Sequence, residues 1–252
     1  MLLRMVETEN VVKIFRDPKR GDIRAVDGVT FRAHPGKIHG LLGVNGAGKT
    51  TLMRILSTVI RPTEGTAKVC GFDVVNQGPE VRNSIGFLST TTALYGRLTG
   101  REMLEYFAGL YGFSGAELKQ RVDAAIARTN AEAFADQLCD KLSTGQKQRI
   151  SIGRATIHDP QVLFFDEPTA GLDILAAQTI IGFIEQMRDL GKTVLLSTHI
   201  MSEVERLCEE ITIIHHGRIM GEGTIDQLKS QTGQETLEKA FLSIVAPEGV
   251  AL

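Results

Sequence analysis

The segment "GLLGVNGAGKTTLMRIL", from Gly40 to Leu56, places four glycines and a lysine between an apolar run and a helical pattern. Within it, the spacing Gly43-x-x-x-x-Gly48-Lys49-Thr50 is typical of a loop that binds phosphate. Glycines let backbone N–H groups converge on phosphate oxygens, and the helix that follows presents its positive N-terminal end. The pattern therefore predicts a phosphate-binding loop between a buried strand and a helix.

Three side chains at the end of this loop have distinct predicted contacts. We expect Lys49 to reach the β- and γ-phosphates of a nucleotide and the Thr50 hydroxyl to bind Mg²⁺. Thr51 adds a second hydroxyl, which we expect near the α-phosphate. The loop therefore predicts a site for a nucleoside triphosphate with its magnesium ion.

Composition restricts the class of protein. The chain has 252 residues, 42% hydrophobic and 23% charged, with a net charge of −2, which fits one large domain or one domain with an insert. This charge gives no global reason to expect nucleic-acid binding. The cysteines Cys70, Cys139 and Cys208 form no CxxC pair, so neither a disulfide framework nor a zinc site is indicated. Because the start lacks a signal-peptide core and no apolar run is long enough to span a bilayer, we expect a cytoplasmic chain.

Three short apolar runs are typical of parallel strands buried on both faces. They are "KIHGLL" (Lys37 to Leu42), "VLFFD" (Val162 to Asp166) and "TVLLST" (Thr193 to Thr198). Helical patterns lie between or after these runs. The alternation predicts an α/β core with a parallel sheet flanked by helices.

The segment from about residue 96 to residue 154 breaks this alternation with several helices in a row. Thr99 with Glu102 and Ser114 with Glu117 have the spacing of a capping box, which predicts two helix starts. One apolar stripe follows the first of them: Met103, Leu104, Phe107, Leu110 and Tyr111. We interpret the segment as a helical insert whose stripe packs against neighbouring helices.

Two carboxylates end the second apolar run. Asp166 is predicted to belong to the magnesium shell, and Glu167 to orient or deprotonate a water that attacks the γ-phosphate. Adjacent residues on a strand point to opposite sides, so both can act only where the strand ends. Pro168 is consistent with such an ending. Together with the loop, the pair indicates nucleotide hydrolysis.

A second helix start occurs in "LSTGQKQRISIGRA", from Leu142 to Ala155. Ser143 and Gln146 have capping-box spacing, so the start of this helix can also bind an anion. A single triphosphate does not obviously need two anion-binding helix starts from the same polypeptide.

With these motifs in this order, the sequence resembles the ATP-binding subunits of ABC transporters. In that family the signature segment of one subunit covers the γ-phosphate of an ATP held by the loop of the other. The resemblance implies that Phe15 stacks on adenine and that Asp173 ends a loop that communicates across the dimer. It also implies that the residues of the phosphate loop and of the signature segment bind ATP. It assigns Walker A to Gly43, Asn45, Gly46, Ala47, Gly48, Lys49, Thr50 and Thr51, and the signature to Ser143, Gly145 and Gln146.

The same resemblance implies a catalytic set and a metal set. Glu167 matches the catalytic glutamate, His199 the switch histidine that contacts the γ-phosphate, and Asp166 the Walker B aspartate. Thr90 stands where family members usually carry a glutamine that reaches Mg²⁺. Because its hydroxyl is shorter by about two bonds, we predict a water-bridged contact or a weaker magnesium shell.

The fold implied is a P-loop NTPase core with an antiparallel β subdomain and an inserted helical subdomain. We expect the core over residues 1–95 and 155–222, the insert over 96–154, and a helical tail over 223–252, in which Leu237, Phe241 and Ile244 have helical spacing. The implied partners are a second ATP-binding subunit, in a homodimer, and an integral-membrane permease that holds the chain at the inner face of the membrane.

Within the family, "KRGDIRAVDGVTF", "FLSTTTALYGRLT" and the tail are most similar to the subunits of ABC-2 type exporters of the sodium-extruding NatA group. Two other classes of function stay open from the sequence. One is a soluble ABC ATPase that acts outside transport, and the other is a module that binds ATP without cleaving it. The signature helix disfavours a P-loop kinase or GTPase.

Overall fold

The computed structural model describes residues 5–19, 21–89 and 93–246, so Thr90 lies outside the described residues. A mostly parallel sheet of six strands forms the centre of the fold, in the order β11-β10-β4-β9-β8-β7. Strands β10, β4, β9, β8 and β7 are parallel to their neighbours, and β11 is antiparallel to β10. The strands are β4 (Ile38–Leu42), β7 (Ile85–Leu88), β8 (Val162–Asp166), β9 (Thr193–Thr198), β10 (Glu210–His215) and β11 (Arg218–Gly223).

A second, antiparallel sheet has the order β2-β1-β5-β6, with β3 paired to β1. Its strands are β1 (Val6–Asp17), β2 (Gly21–Val29), β3 (Arg32–Ala33), β5 (Glu64–Val69) and β6 (Phe72–Asp73). The turn between β10 and β11 joins this sheet to the phosphate loop, because Gly217 donates its N–H to the Ala47 carbonyl at 2.9 Å and accepts from the Asp27 N–H at 2.8 Å. The predicted α/β fold with an antiparallel β subdomain is therefore confirmed.

Helices cover the parallel sheet and build the insert. They are α1 (Lys49–Leu56), α2 (Gly78–Ser84), α3 (Gly100–Leu110), α4 (Gly115–Arg128), α5 (Thr144–Thr156), α6 (Ile174–Asp189), α7 (Met201–Leu207), α8 (Ile225–Thr232) and α9 (Leu237–Val245), with a short 3₁₀ turn at Cys139–Lys141. Among the described residues, no helix combines the length and apolar character that a bilayer span requires.

Buried side chains form three apolar clusters. Two lie on opposite faces of the parallel sheet, around Phe165 and Ile184 on one face and Phe164 and Leu52 on the other. The third joins α3, α4 and α5. A packing core of its own gives the insert the means to hold its helices together apart from the sheet.

The predictions for single elements have mixed outcomes. The three apolar runs are strands, and all residues of β4, β8 and β9 are buried. The capping boxes at Thr99 and Ser143 are formed. Ser114 directly precedes α4, so the helix start predicted there is confirmed, but its side chain forms no hydrogen bond to the helix start and the capping box is not formed. Leu110 was also wrongly placed in the packed stripe, since it sits at the last position of α3 and is 64% exposed.

Candidate active site

Close packing explains why glycines occupy the ends of the phosphate loop. A β-carbon at Gly43 would lie 2.3 Å from the Ile214 carbonyl oxygen, and one at Gly48 would lie 2.4 Å from the Ala25 carbonyl oxygen. Gly48 also has a φ of 108°, which side-chain-bearing residues rarely adopt. Strands β2 and β10 therefore press the loop into a shape that only glycine permits at these two positions.

The loop surrounds a cavity at the start of α1. Gly48 caps this helix without any side-chain hydrogen bond, so the first N–H groups of α1 have no acceptor within the helix. The cavity measures about 290 Å³ and is lined by Ala25, residues 44–51 and Glu167. Uncommitted N–H groups and the positive helix end make this a cradle for an anion.

Lys49 lies buried at the centre of the loop. Its ammonium donates to the Gly43 carbonyl at 2.6 Å and to the Val44 carbonyl at 3.3 Å. It also lies 3.2 Å from Oε1 of Glu167. Oxygen atoms on several sides offset the cost of burying this charge. They hold the ammonium at the anion-binding cavity that lies at the start of α1.

Backbone conformation brings two carboxylates to the same place. Strand β8 ends at Asp166, and Glu167 has a φ of 50°, in the left-handed region that residues other than glycine seldom adopt. The Glu167 N–H donates to the Ser197 carbonyl at 3.0 Å, which holds this conformation. The turn ends the alternation of side-chain directions along the strand, so Asp166 and Glu167 both face the phosphate loop.

The Asp166 carboxylate is aligned by two hydroxyl groups. Its Oδ1 accepts from Thr50 at 3.1 Å and from Ser197 at 2.5 Å. Its Oδ2 is buried and has no hydrogen-bond partner among the described residues. A buried carboxylate oxygen left free beside a threonine hydroxyl is the donor set that a hard divalent cation such as Mg²⁺ prefers.

His199 faces Glu167 across the site. Its Nδ1 lies 2.8 Å from Oε2 of Glu167, and since the carboxylate accepts, Nδ1 carries the proton. The buried carboxylate of Glu203 accepts from Thr198 at 2.9 Å and from Thr169 at 2.5 Å. These two hydrogen bonds connect the segment after β9 to the segment after β8, and so they position His199 and Glu167 relative to each other.

The signature residues lie at the start of α5, in the insert. Oγ of Ser143 accepts from the Gln146 N–H at 3.3 Å, and the Gln146 side chain accepts from the Ser143 N–H at 2.9 Å. Farther along α5, Gln148 donates to the Pro168 carbonyl at 2.6 Å, which links the helix to the segment after Glu167. Because the Ser143 hydroxyl accepts here, its hydrogen stays available to an incoming anion.

The structure brings some of the predicted residues together and leaves others apart. Asn45, Gly46, Ala47 and Thr51 line the cavity with the rest of the loop. Among the residues that the structure describes, the cavity lining includes none of Ser143, Gly145, Gln146 and Asp173. Asp173 instead caps α6, accepting from the Ala176 N–H at 2.9 Å, and Ala176 lies so close to Gly145 that a β-carbon there would be 2.9 Å away.

Phe15 lies on β1, opposite Ile23 of β2, two residues before the Ala25 that lines the cavity. The residue is 41% exposed, and the Lys13 ammonium lies 5.2 Å from the centre of its ring. A half-exposed aromatic face near a phosphate cradle can stack on a planar base.

Two residues that support the site were not predicted from the sequence. Ser197 aligns Asp166 from the end of β9, and Glu203 supports His199 from α7. The polar end of "TVLLST" was a usable signal for Ser197, because the carboxyl ends of neighbouring parallel strands share one edge of a sheet. Nothing in the pattern of α7 distinguished Glu203 from a solvated acid.

The fold and the site define a phosphate-loop nucleotide hydrolase whose sheet carries an inserted helical unit. The family model described as "ABC transporter" matches residues 26–170, and the chain belongs to this family. It is 38% identical over 240 residues to the ABC transporter ATP-binding protein NatA of Bacillus subtilis (strain 168), covering 95% of this chain and 97% of that protein.

Two further comparisons bear on the activity. The Nod factor export ATP-binding protein I of Paraburkholderia xenovorans (strain LB400) is 37% identical, over 92% of this chain and 75% of that protein. A solved dimeric structure of the ATP-binding cassette MJ0796 in a post-hydrolysis state, bound to ADP and Pi, superposes with a TM-score of 0.80 at 27% identity, over 87% of this chain and 98% of that one.

These findings confirm the predicted class. The chain is an ATP-binding and ATP-hydrolysing subunit of an ABC transporter, in a family whose cassettes dimerise and work with a membrane component. They favour the transporter hypothesis over a soluble ATPase outside transport and over a module without turnover. The similarity to NatA confirms the predicted relation to that group.

Proposed function

We propose that two copies of this chain close around two ATP molecules and that hydrolysis separates them again, which drives a membrane permease. The observation that carries this proposal is the division of the site. The phosphate-loop cavity is lined by the core, whereas the Ser143 helix start, which can also bind an anion, lies outside that lining. A second copy, related by a two-fold axis, would bring its Ser143, Gly145 and Gln146 to the open side of the cavity.

The metal proposed for this site is Mg²⁺. Asp166 and Thr50 would hold it, because Oδ2 of Asp166 is buried without a partner among the described residues and Thr50 stands beside the same carboxylate. When bound, Mg²⁺ neutralises charge on the β- and γ-phosphates. Thr90 stays predicted as a weak or water-bridged member of this set.

Glu167 is the proposed general base. Its carboxylate accepts a proton from the water that attacks the γ-phosphorus, while the bond to the β–γ bridging oxygen breaks and ADP leaves. His199, 2.8 Å from Oε2, holds the carboxylate in place and would donate to a γ-phosphate oxygen through its other ring nitrogen once that nitrogen is protonated. The left-handed turn at Glu167 keeps the base facing the phosphates.

Lys49 and Phe15 would anchor the two ends of the nucleotide. The ammonium of Lys49, now shared between loop carbonyls and Glu167, would turn to the β- and γ-phosphates. This exchange frees Glu167 from an ion pair as ATP arrives. Phe15 would stack on the adenine ring, and Asp173, at the start of α6, would face the second copy.

An apolar groove between the core and the insert is the proposed contact with the permease. It is lined by residues that include Val59, Phe87, Phe107 and Tyr111. At its floor Arg154 is 7% exposed, and burial lowers the pKa of its guanidinium. We infer that a short helix of the permease docks here, which holds the chain at the inner face of the membrane, and that the system exports its cargo, as the name of the Nod factor relative suggests.

The test is the variant Glu167→Gln, which keeps the shape of the side chain and removes its basicity. We expect hydrolysis to fall by about 10²–10⁴-fold, while ATP binding persists. Size-exclusion chromatography should then show a dimer with MgATP and a monomer without it. The exposed Glu222→Gln serves as the matched control and should behave as the wild type. A Glu167→Gln chain that hydrolyses ATP at the wild-type rate contradicts the assigned role.

A further inference from the structure

A cavity larger than the phosphate-loop cavity lies between the insert and the core. It measures about 530 Å³ and opens between α4 and α5 on one side and α6 on the other. It shares no lining residue with the phosphate-loop cavity. Its volume is in the range that holds a small organic molecule, about 300–1,000 Å³.

The lining of this cavity carries positive charge without a compensating acid. Two arginines, Arg128 and Arg149, line it, and among the described lining residues there is no aspartate or glutamate. Neither arginine forms an ion pair within the part of the chain that the structure describes. Because two positively charged residues line one cavity, an anion bound there would be attracted by both.

Arg149 is the more constrained of the two. Its Nη1 donates to the Asn130 carbonyl at 3.0 Å, and its guanidinium stands 5.1 Å from the centre of the Phe134 ring. These contacts fix the plane of the group, yet its Nε is buried and has no acceptor among the described residues. A buried N–H donor without an acceptor costs free energy, which a bound oxygen atom would recover.

The opposite wall combines amide donors with an apolar floor. Gln178 on α6 accepts from Arg206 at 2.5 Å through its oxygen, so its NH₂ group stays available to donate. Ile180 on α6 and Ile152 on the facing α5 line the cavity as buried apolar side chains. The cavity thus offers a donor for a charged group and apolar side chains for the body attached to it.

We propose that this cavity binds a small organic anion, namely a carboxylate or phosphate ester attached to an apolar body. Arg149 and Arg128 contact the charged group, and the body packs on Ile152 and Ile180. Because the arginines belong to the insert and the isoleucine and amide wall of α6 belongs to the core, the ligand bridges the two parts and stiffens the joint between them. The site is independent of the nucleotide chemistry.

The experiment titrates the full chain, without nucleotide, with phenyl phosphate and separately with benzoate, followed by NMR or calorimetry. We expect saturable binding of at least one probe at millimolar or lower concentration, with benzyl alcohol, the uncharged analogue, binding more weakly. Arg149→Gln should weaken binding by about tenfold or more, as the loss of a charge-assisted hydrogen bond does. The relative affinities of the two probes show whether the site prefers phosphate or carboxylate.

Two control variants separate this site from other anion sites. Lys49→Ala removes the second anion site that the phosphate loop offers to these probes and should retain the saturable binding, whereas Arg32→Gln, at an exposed arginine on β3, should leave probe binding unchanged. If Arg149→Gln fails to fold, as judged by circular dichroism, Arg128→Gln takes its place with the same expectation. The proposal is overturned if neither probe saturates below about 10 mM, the limit of weak specific affinity, if the arginine variants bind as the wild type does, or if Lys49→Ala abolishes the binding.

Discussion

Among single residues, Asp166 and Glu167 show how a strand end places two acids in one site. The sequence indicated that both could act only where the strand stops, and β8 stops at Asp166. What it could not indicate is the left-handed φ of Glu167, which costs of order 1 kcal/mol and is held by a hydrogen bond to Ser197 from the neighbouring strand. Such a turn depends on tertiary contacts, which local sequence patterns do not contain.

Ser197 gives a direct test of the metal set. Its hydroxyl donates to Oδ1 of Asp166 at 2.5 Å and so orients the carboxylate. We expect Ser197→Ala to weaken the magnesium dependence of ATP hydrolysis, raising the half-saturating Mg²⁺ concentration by about tenfold, as loss of such an orienting hydrogen bond typically does.

The matched control for this change is Ser151→Ala. Ser151 is also buried, but its hydroxyl donates to the Lys147 carbonyl within α5, away from the carboxylates. The magnesium titration of this variant should coincide with that of the wild type. A Ser197→Ala chain with an unaltered magnesium titration would refute the alignment of Asp166 that the geometry indicates.

Among the elements, the buried parallel strands were predictable and the helices of the insert were partly so. Continuous apolar runs mark β8 and β9 to the residue, because both faces of these strands are covered. The antiparallel sheet was harder to predict, since β1 is long, half exposed and changes register against both neighbours. Leu110 is exposed although it belongs to the predicted stripe, because helical spacing specifies a face of α3 but not the point at which neighbouring helices stop covering that face.

The start of α5 can be tested against the start of α3, because both carry the same capping box. Ser143→Ala and Thr99→Ala should each destabilise the chain by about 1 kcal/mol, the usual cost of losing an N-cap. The proposed contact with ATP adds a second effect for Ser143, so its variant should lose ATPase activity well beyond the stability loss. Thermal unfolding and phosphate release measure the two effects, and equal activities in the two variants would contradict a nucleotide contact for Ser143.

His158 makes the contact between α3 and β7 depend on pH. Its ring stacks on Tyr111 at 3.8 Å, its Nε2 donates to the Ile85 carbonyl at 2.9 Å, and its Nδ1 is buried without a partner among the described residues. Burial lowers the pKa of His158, so protonation costs more in the folded chain than in the unfolded one. The stabilisation is therefore present above the unfolded pKa near 6.5 and is lost as the pH falls below it.

The measurement is the Tm from about pH 7.5 to about pH 5.5 in wild type and in His158→Gln, whose amide can still donate to Ile85. We expect the wild-type Tm to decrease more steeply with falling pH than that of the variant. Other groups that titrate in this range are shared by both chains, so they cancel in the difference. Parallel curves would show that His158 does not carry this pH dependence.

For the whole molecule, the motif order predicted the family and the fold but not how the parts surround their ligands. The sequence indicated two anion-binding helix starts, and the structure leaves the one at Ser143 outside the lining of the cavity that Lys49 occupies. The cavity lined by Arg128 and Arg149 had no sequence signal, because it forms where α4 and α5 meet α6 across a long separation in the chain. Such joints follow from tertiary packing.

The central claim is that each ATP is held by two different copies of the chain, and mixing two inactive variants tests it most directly. Lys49→Ala disables the phosphate loop. Ser143→Glu places a negative charge against the γ-phosphate, and this charge is still favourable at the start of a helix, so the variant should fold. In a two-fold dimer, mixing restores one intact site in each hybrid, so about a quarter of all sites regain function. We predict that the mixture hydrolyses ATP far faster than either variant alone, whereas a rate equal to the average of the two separate variants would contradict a shared nucleotide.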